Sequence, residues 1–389
     1  MIRIVVLILL VLTLGAFVMG LLVTKGVVDF TKVEPPPPGQ TYETSAGPVK
    51  VDRVDGPFAH PWAVAFLPDG AMLITERGGA MWHRGAGGAR AQVAGVPAVK
   101  AEGQGGLLDV VAARDFADSR EVFLTYSEPA EGGSRTAVLV ARLSDGGEAL
   151  ENFRVIFRQQ PTVDSKIHYG SRVVEAGDGT LWVTLGERGQ ALMAQNPMGH
   201  LGKVIRINRD GSVPPDNPLV ATIGLKEIWS IGHRNPQGAA IDPETGALWT
   251  VEHGAKGGDE INRPEPGKNY GWPTISFGTN YSGTSIGEGT SKWGMEQPLF
   301  HWDPSIAPSG MMIYSGRLWP DWKGDIFVGA LKFQLISRLD REGDAIKGEE
   351  RLLTGLFGRV RDVREGPDGA IWFLTDEGQG ALYRMYPAN

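Results

Sequence analysis

Cysteine is absent from the 389 residues of this chain. That one absence removes disulfides, thiolate nucleophiles, Cys-ligated zinc and thioether-attached haem, and it leaves the compartment unreadable from redox chemistry. A basic stripe is missing too. The formal net charge is −7, so no cationic surface is available to neutralise a run of phosphates, and nucleic acid is excluded as a partner. Long helical patterns are scarce as well. What is plentiful is glycine and proline, 54 and 26 residues with no collagen-like period, a composition suited to many short strands joined by tight turns. Apolar residues at 42% and charged residues at 21% lie close to the usual globular balance and allow a large core.

One long stretch is both uncharged and almost wholly apolar. From Ile4 to Thr24 the run IVVLILLVLTLGAFVMGLLVT has the length of a bilayer-spanning helix. No small-x-small cleavage pattern precedes Lys25, and no cysteine is present to be lipidated. We therefore expect a signal anchor or uncleaved transmembrane helix over residues 1–24, with a secreted periplasmic form as the alternative. Pro35 to Pro38 form a short polyproline spacer within a linker over 25–40. The catalytic domain is expected over 41–389.

Within that domain the sequence repeats. PWAVAFLPDGAMLITERGG, SRVVEAGDGTLWVTLGERG, QGAAIDPETGALWTVEHG and VRDVREGPDGAIWFLTDEG each read as an alternating strand, a turn on Asp-Gly or Glu-Thr-Gly and a second apolar strand. An acidic residue followed closely by glycine comes next. Two weaker copies, GGLLDVVAARDFADSREVFLTYSEP and MMIYSGRLWPDWKGDIFVGALKFQLISRL, fill the gaps. Six units of roughly fifty to sixty residues predict an all-β, six-bladed β-propeller.

Propeller geometry brings the innermost strands and their loops to one axial mouth. Five segments depart from the repeat at blade edges. GHRNPQG carries Arg234, Asn235 and Gln237; SKIHYGSR carries His168 and Arg172; EHGAKGGDEIN carries glycines beside Asp259 and Glu260. ALKFQ carries Lys332, and FGRVRD carries Arg359 and Arg361. Alternation along a strand points Arg359 and Arg361 to one face. Together with Arg234 and Lys332 they make four cations in an acidic protein, which calls for a multiply charged anionic ligand. Taken singly, each has a plainer account: inter-blade ion pairs for the arginines, a satisfied structural histidine, and simple turns for the glycines.

In combination, GHRNPQG, GDEIN followed by NYGWP, GQGGLLDV, and RVRDV followed by PDG resemble the soluble aldose sugar dehydrogenases of the glucose/sorbosone dehydrogenase family. These enzymes use pyrroloquinoline quinone (PQQ). The resemblance runs from about residue 50 to the C-terminus and implies a six-bladed propeller that binds the tricarboxylate quinone with calcium at its mouth. It implies that Arg234 and Asn235 contact the quinone side, that Lys332, Arg359 and Arg361 neutralise carboxylates or quinone oxygens, and that Gln104 and Gln237 add polar contacts. Calcium would rest on the backbone carbonyls of Gly254 and Ala255, where the family can carry proline in place of Ala255. His168 would be the general base that removes the anomeric hydroxyl proton while hydride leaves for the quinone, giving a lactone. Glu187 would orient His168, in a place where some members have Asp, and Arg234 with calcium would polarise the quinone.

The aldose is the substrate this reading implies, with a separate cytochrome or quinone as electron acceptor. A calcium-dependent propeller lactonase or hydrolase, and a non-catalytic binding propeller, stand as alternatives.

Overall fold

Each repeated unit folds as the inner hairpin of a sheet. The four strong copies place Pro61–Phe66 against Met72–Glu76, Gly170–Glu175 against Thr180–Leu185, Pro236–Ile241 against Leu248–Glu252, and Val360–Glu365 against Ile371–Thr375. The weaker copies pair Leu107–Ala112 with Glu121–Ala130 and Pro308–Ile313 with Ile326–Ala330. Turn chemistry accounts for the hairpins: Gly70 and Gly179 sit at φ +82° and +81°, a conformation that disfavours side chains. Two further antiparallel strands extend each hairpin outward, giving six sheets and the expected six-bladed propeller. Helix is scarce, with one four-residue α-helix, Phe116–Ser119, among the described residues.

The computed structural model describes residues 33–218 and 224–388. The expected anchor over 1–24 lies outside the described residues, as does the first half of the linker, residues 25–32. Among the described residues, no helix is long and apolar enough to cross a membrane.

The last blade is completed by the start of the domain. Val49–Phe58 pairs with Gly380–Pro387, and Thr41–Tyr42 adds a short strand beyond it. Joining the two ends of the chain closes the ring. The repeat could not reveal this strand, because VKVDRVDGPF is half-exposed along most of its length and lacks the alternation of an inner strand.

Every inner strand meets its neighbour with a slip in register, at Pro61/Ala63, Leu107/Val110, Gly170/Val173, Pro236/Gly238, Pro308/Met311 and Val360/Asp362. A bulge leaves an inner-strand N–H unpaired and re-aims the residues beside it. In three blades a buried threonine of the second strand takes up that N–H. Thr75 accepts from Ala63 at 3.1 Å, Thr125 from Asp109 at 2.9 Å, and Thr184 from Arg172 at 3.0 Å. The same hydroxyls donate to the next blade's inner strand, at Leu108 O (2.6 Å), Ser171 O (2.6 Å) and Pro236 O (2.8 Å).

Charge is balanced on the axis. Arg172, left unassigned by the sequence, is 1% exposed and reaches Asp109 at 2.8 Å and Asp362 at 3.2 Å; Arg364 contacts both carboxylates at 3.0 Å. Two cations and two anions from three blades thus form a neutral cluster two residues inward from Gly170. Arg172 is a structural group.

Thr184→Val preserves shape but orphans the Arg172 N–H and the Pro236 carbonyl. We expect a loss of about 2–4 kcal/mol of stability, read as a lower denaturant midpoint at unchanged slope. Wild-type stability would show that the inter-blade hydroxyl bond is dispensable.

Candidate active site at the axial mouth

Two kinds of position face the mouth: residues just before an inner strand and residues just after the second strand of a blade. Gln104, His168, Arg234, Asn235 and Arg359 occupy the first kind, and Glu187, Gly254, Ala255 and Lys332 the second. Gln237 and Arg361 are the second residues of their inner strands. The residues singled out in the sequence therefore come from five blades to one end of the ring. Arg359 precedes its strand by one position, yet it and Arg361 both approach Asp376, at 4.0 and 2.6 Å.

His168 is held on every side. Its Nδ1 is hydrogen-bonded to Glu187 Oε1. Its backbone N–H donates to Gln104 Oε1 at 2.7 Å, and two residues on, the Gly170 N–H donates to Asn235 Oδ1 at 3.0 Å. The backbone at His168 is left-handed, φ +53°, a conformation that persists only where surroundings enforce it. Glu187 is buried, and its second carboxylate oxygen has no partner. Burial pushes the His168 imidazole below the ordinary histidine range. The charges of Arg234 and Arg188 act in the same direction, and the bond to Glu187 opposes them. With Nδ1–H donated to the carboxylate, the neutral ring presents Nε2 as an acceptor, the form a general base requires.

Arg234 is also nearly buried. Its N–H donates to Glu252 Oε2 at 2.6 Å, its Nη1 to Gly254 O, and its guanidinium lies 5.1 Å from the Trp272 ring centre. Its Nε has no partner. The adjacent His233 is fully engaged, between Glu252 at 2.9 Å and Ser230 at 2.8 Å and stacked on Tyr270; it supports the mouth from behind.

The remaining cations differ in how far they are compensated. Arg361 is paired with Asp376 and donates to Gln237 Oε1 at 2.8 Å. Arg359 is partly exposed and donates to Leu331 O at 3.3 Å. Lys332, the next residue, is exposed and has no carboxylate within ion-pair distance among the described residues. Asp376 and its partner His60, 3.0 Å away, escaped the sequence reading. Burial alone would raise the Asp376 proton affinity, but Arg361 and the His60 hydrogen bond hold the carboxyl well below the usual range. A signal for it existed: the acid of LTDEG occupies the place of Glu187 in LGERG.

The turn after Leu248–Glu252 is tightly folded and largely buried. Gly254 N–H donates to Asp259 Oδ1 at 2.8 Å, and Asp259 also accepts the N–H groups of Ile306 at 2.7 Å and Ala307 at 3.0 Å. A Cβ on Gly254 would lie 2.2 Å from Gly257 O and 2.3 Å from Gly258 O. Among the described residues, no group of three or more His, Asp or Glu is placed to hold a metal ion. A divalent cation at this mouth would thus rest on carbonyls of the turn and on oxygens of a bound ligand. The donor set can take an anion and a hard cation together: Arg234 Nε is unpartnered, Lys332 has no carboxylate partner among the described residues and Arg359 is weakly compensated, beside a Gly254 carbonyl that accepts from Arg234 Nη1.

Gly254→Ala should deform this turn and lower stability by about 1–3 kcal/mol. Thermal unfolding with and without added calcium measures it; an unchanged melting temperature in both conditions would refute the tightness inferred here.

The family model described as "Glucose / Sorbosone dehydrogenase" matches residues 58–384. Aldose sugar dehydrogenase YliI of Escherichia coli is 47% identical over 347 residues, covering 88% of this chain and 94% of that protein. A crystal structure of the soluble aldose sugar dehydrogenase from Escherichia coli in the apo form superposes with a TM-score of 0.84 at 46% identity, covering 87% of this chain and 99% of that one. The PQQ-bound form of aldose sugar dehydrogenase from Streptomyces coelicolor gives 0.72 at 26% identity, covering 90% and 99%.

Proposed function

The chain belongs to the glucose/sorbosone dehydrogenase family, and from that premise we propose that it oxidises aldose sugars at the anomeric carbon to lactones, using PQQ and calcium. It is an oxidoreductase of the sugar dehydrogenase type. One observation carries the finer reading: a part-buried imidazole oriented by Glu187 shares a mouth with Arg234 and Lys332, which have no carboxylate within ion-pair distance among the described residues, and with Arg359, whose nearest carboxylate oxygen, on Asp376, is 4.0 Å away. A relative solved with the quinone bound shares the fold over nearly the whole chain, which supports the choice of anion.

Arg234, Arg359 and Lys332 hold the anionic groups of the quinone in this reading. Arg361 and Gln237 act as a coupled pair, and Gln104 and Asn235 add polar contacts. The carbonyls of Gly254 and Ala255 carry calcium. When bound, PQQ supplies the two-electron acceptor that takes hydride from the anomeric carbon. The chain's own part is the proton. His168 Nε2 accepts it from the anomeric hydroxyl, and Glu187 on Nδ1 stabilises the imidazolium that forms. Arg234, already buried, is placed to stabilise negative charge developing on an oxygen in front of it without reorganising.

The compartment and partners follow from the same reading. The run over residues 1–24 anchors the propeller at the periplasmic side of the cytoplasmic membrane, and a separate cytochrome or membrane quinone reoxidises the cofactor. Cell fractionation of the full chain tests the anchor: recovery in the soluble fraction would remove it.

The central test uses the full chain in detergent, titrated with PQQ in calcium while dye reduction is followed with a panel of aldoses. Activity should saturate with quinone and vanish with chelator. His168→Ala should lower the rate by about 10²–10⁴ and leave quinone uptake, read by absorbance, within a few-fold of wild type. Absence of quinone uptake at saturating calcium would overturn the proposal. The pH profile is a second check. Because the His168 proton affinity is lowered in the folded protein, the base stays neutral at mildly acidic pH, so the acid limb of kcat/KM should fall below the ordinary histidine range near pH 6.5. A limb at or above that value contradicts the assignment.

A further inference from the structure

Arg188, directly after Glu187, is 0% exposed, and its hydrogen bonds all go to uncharged oxygens. Nε donates to Ile167 O at 2.9 Å, Nη1 to Ser134 O at 3.2 Å, and Nη2 to Ser134 Oγ at 3.1 Å and to Ser165 O. The guanidinium lies 3.6 Å over the Tyr169 ring. Tyr169 closes the circuit, with its hydroxyl 2.8 Å from Ser134 Oγ and 3.1 Å from Ser165 O. Burying a cation without a bound carboxylate is costly, and packing between blades does not require it. Two of the four bonds and the stacked Tyr169 ring lie in the segment 165–169, which carries His168, and the other two go to Ser134, whose Oγ is itself bonded to the Tyr169 hydroxyl.

That segment needs holding. His168 and Arg188 both have left-handed backbones, φ +53° and +58°. The two stretches are pressed together so closely that a Cβ on Gly186 would lie 1.9 Å from His168 O. We propose that Arg188 is a positioning residue for His168: its planar fork fixes the Ser165 and Ile167 carbonyls, and with them the turn that sets the imidazole against Glu187. This rests on His168 acting as the base in the reaction proposed above.

The fork also leaves a positive charge behind the imidazole. The charged and titratable groups facing His168 are Glu187, Arg188, Arg234 and His253. Glu187 favours the imidazolium, and the two arginines disfavour it. Removing the Arg188 charge should raise the His168 proton affinity, whereas keeping the charge without the fork should not.

The test is made on the full chain with two variants. Arg188→Met removes fork and charge; Arg188→Lys keeps the charge alone. Both should lower kcat about tenfold or more through misplacement of the base, with KM for the sugar and quinone uptake within about twofold. In the protein without quinone, the His168 ring resonance, assigned by its loss in His168→Ala, should titrate at higher pH in Arg188→Met and near wild type in Arg188→Lys. Wild-type kcat in either folded variant overturns the proposal, as does a loss of kcat with the His168 resonance unchanged in both shift and titration. Should Arg188→Met fail to fold, Tyr169→Phe replaces it, since it removes only the hydroxyl bonds to Ser165 and Ser134. A wild-type kcat and an unmoved His168 resonance in that variant would equally overturn the assignment. The resonance is read without cofactor or sugar, so a chain that proved to act on another ligand would fail the activity test while the His168 titration still reported on Arg188.

Discussion

The mouth depends on threonine hydroxyls that serve two blades at once. An inner strand that slips register by a residue cannot complete its ladder, and a buried N–H left alone costs as much as a lost hydrogen bond. Thr75, Thr125 and Thr184 repair that deficit within their own blade and spend the hydroxyl proton on the next. The bulge is thereby stabilised and the blades are fixed to one another by the same atom. Since a bulge re-aims the residues beside it, this device also sets where the segments preceding the inner strands it reaches point. His168, Arg234 and Asn235 lie in those segments, while the strand after Arg359 is held by Ser309 Oγ, which donates to Val360 O at 2.7 Å.

Electrostatics divides the arginines by depth. Along the axis, Arg172 and Arg364 are neutralised by Asp109 and Asp362, so the interior carries no net field from that cluster. One layer outward, Arg361 is neutralised by Asp376 but also ties Gln237. At the rim, Arg359 and Lys332 have little or no compensation. An acidic protein thus presents its positive potential at one opening, where low-dielectric walls make it act most strongly on an anion. Counting cations in the sequence identified the cluster without separating these layers, because pairing depends on residues such as Asp376 that stand 15 positions from Arg361.

The hairpins were readable because their turns and alternation are local, and the blade count followed from their recurrence. The closing strand Val49–Phe58 was not, since its partner Gly380–Pro387 is at the other end of the domain and most of its residues are only half-buried or exposed. In the site, Glu187 as the partner of His168 followed from the family resemblance, and Asp376 occupies the equivalent place of the repeat in the last blade. Arg188 was invisible for a different reason. An arginine beside a glutamate in a glycine-flanked loop reads as a solvent-facing side chain, and only the folded chain shows its fork turned inward onto carbonyls.

The amides have a role that composition alone would misassign. Gln104, Asn235 and Gln237 each use the side-chain carbonyl to hold a group of the mouth: the His168 N–H, the Gly170 N–H and the Arg361 guanidinium. An amide whose carbonyl is engaged internally still has its N–H₂ donors for a ligand, and the anionic quinone proposed above calls for donors. The same side chains can therefore brace the base from one end and face the ligand from the other. Under the proposed function, a ligand that contacts Gln104 or Asn235 touches the side chains that hold the His168 turn, which would couple occupancy of the mouth to the placement of His168.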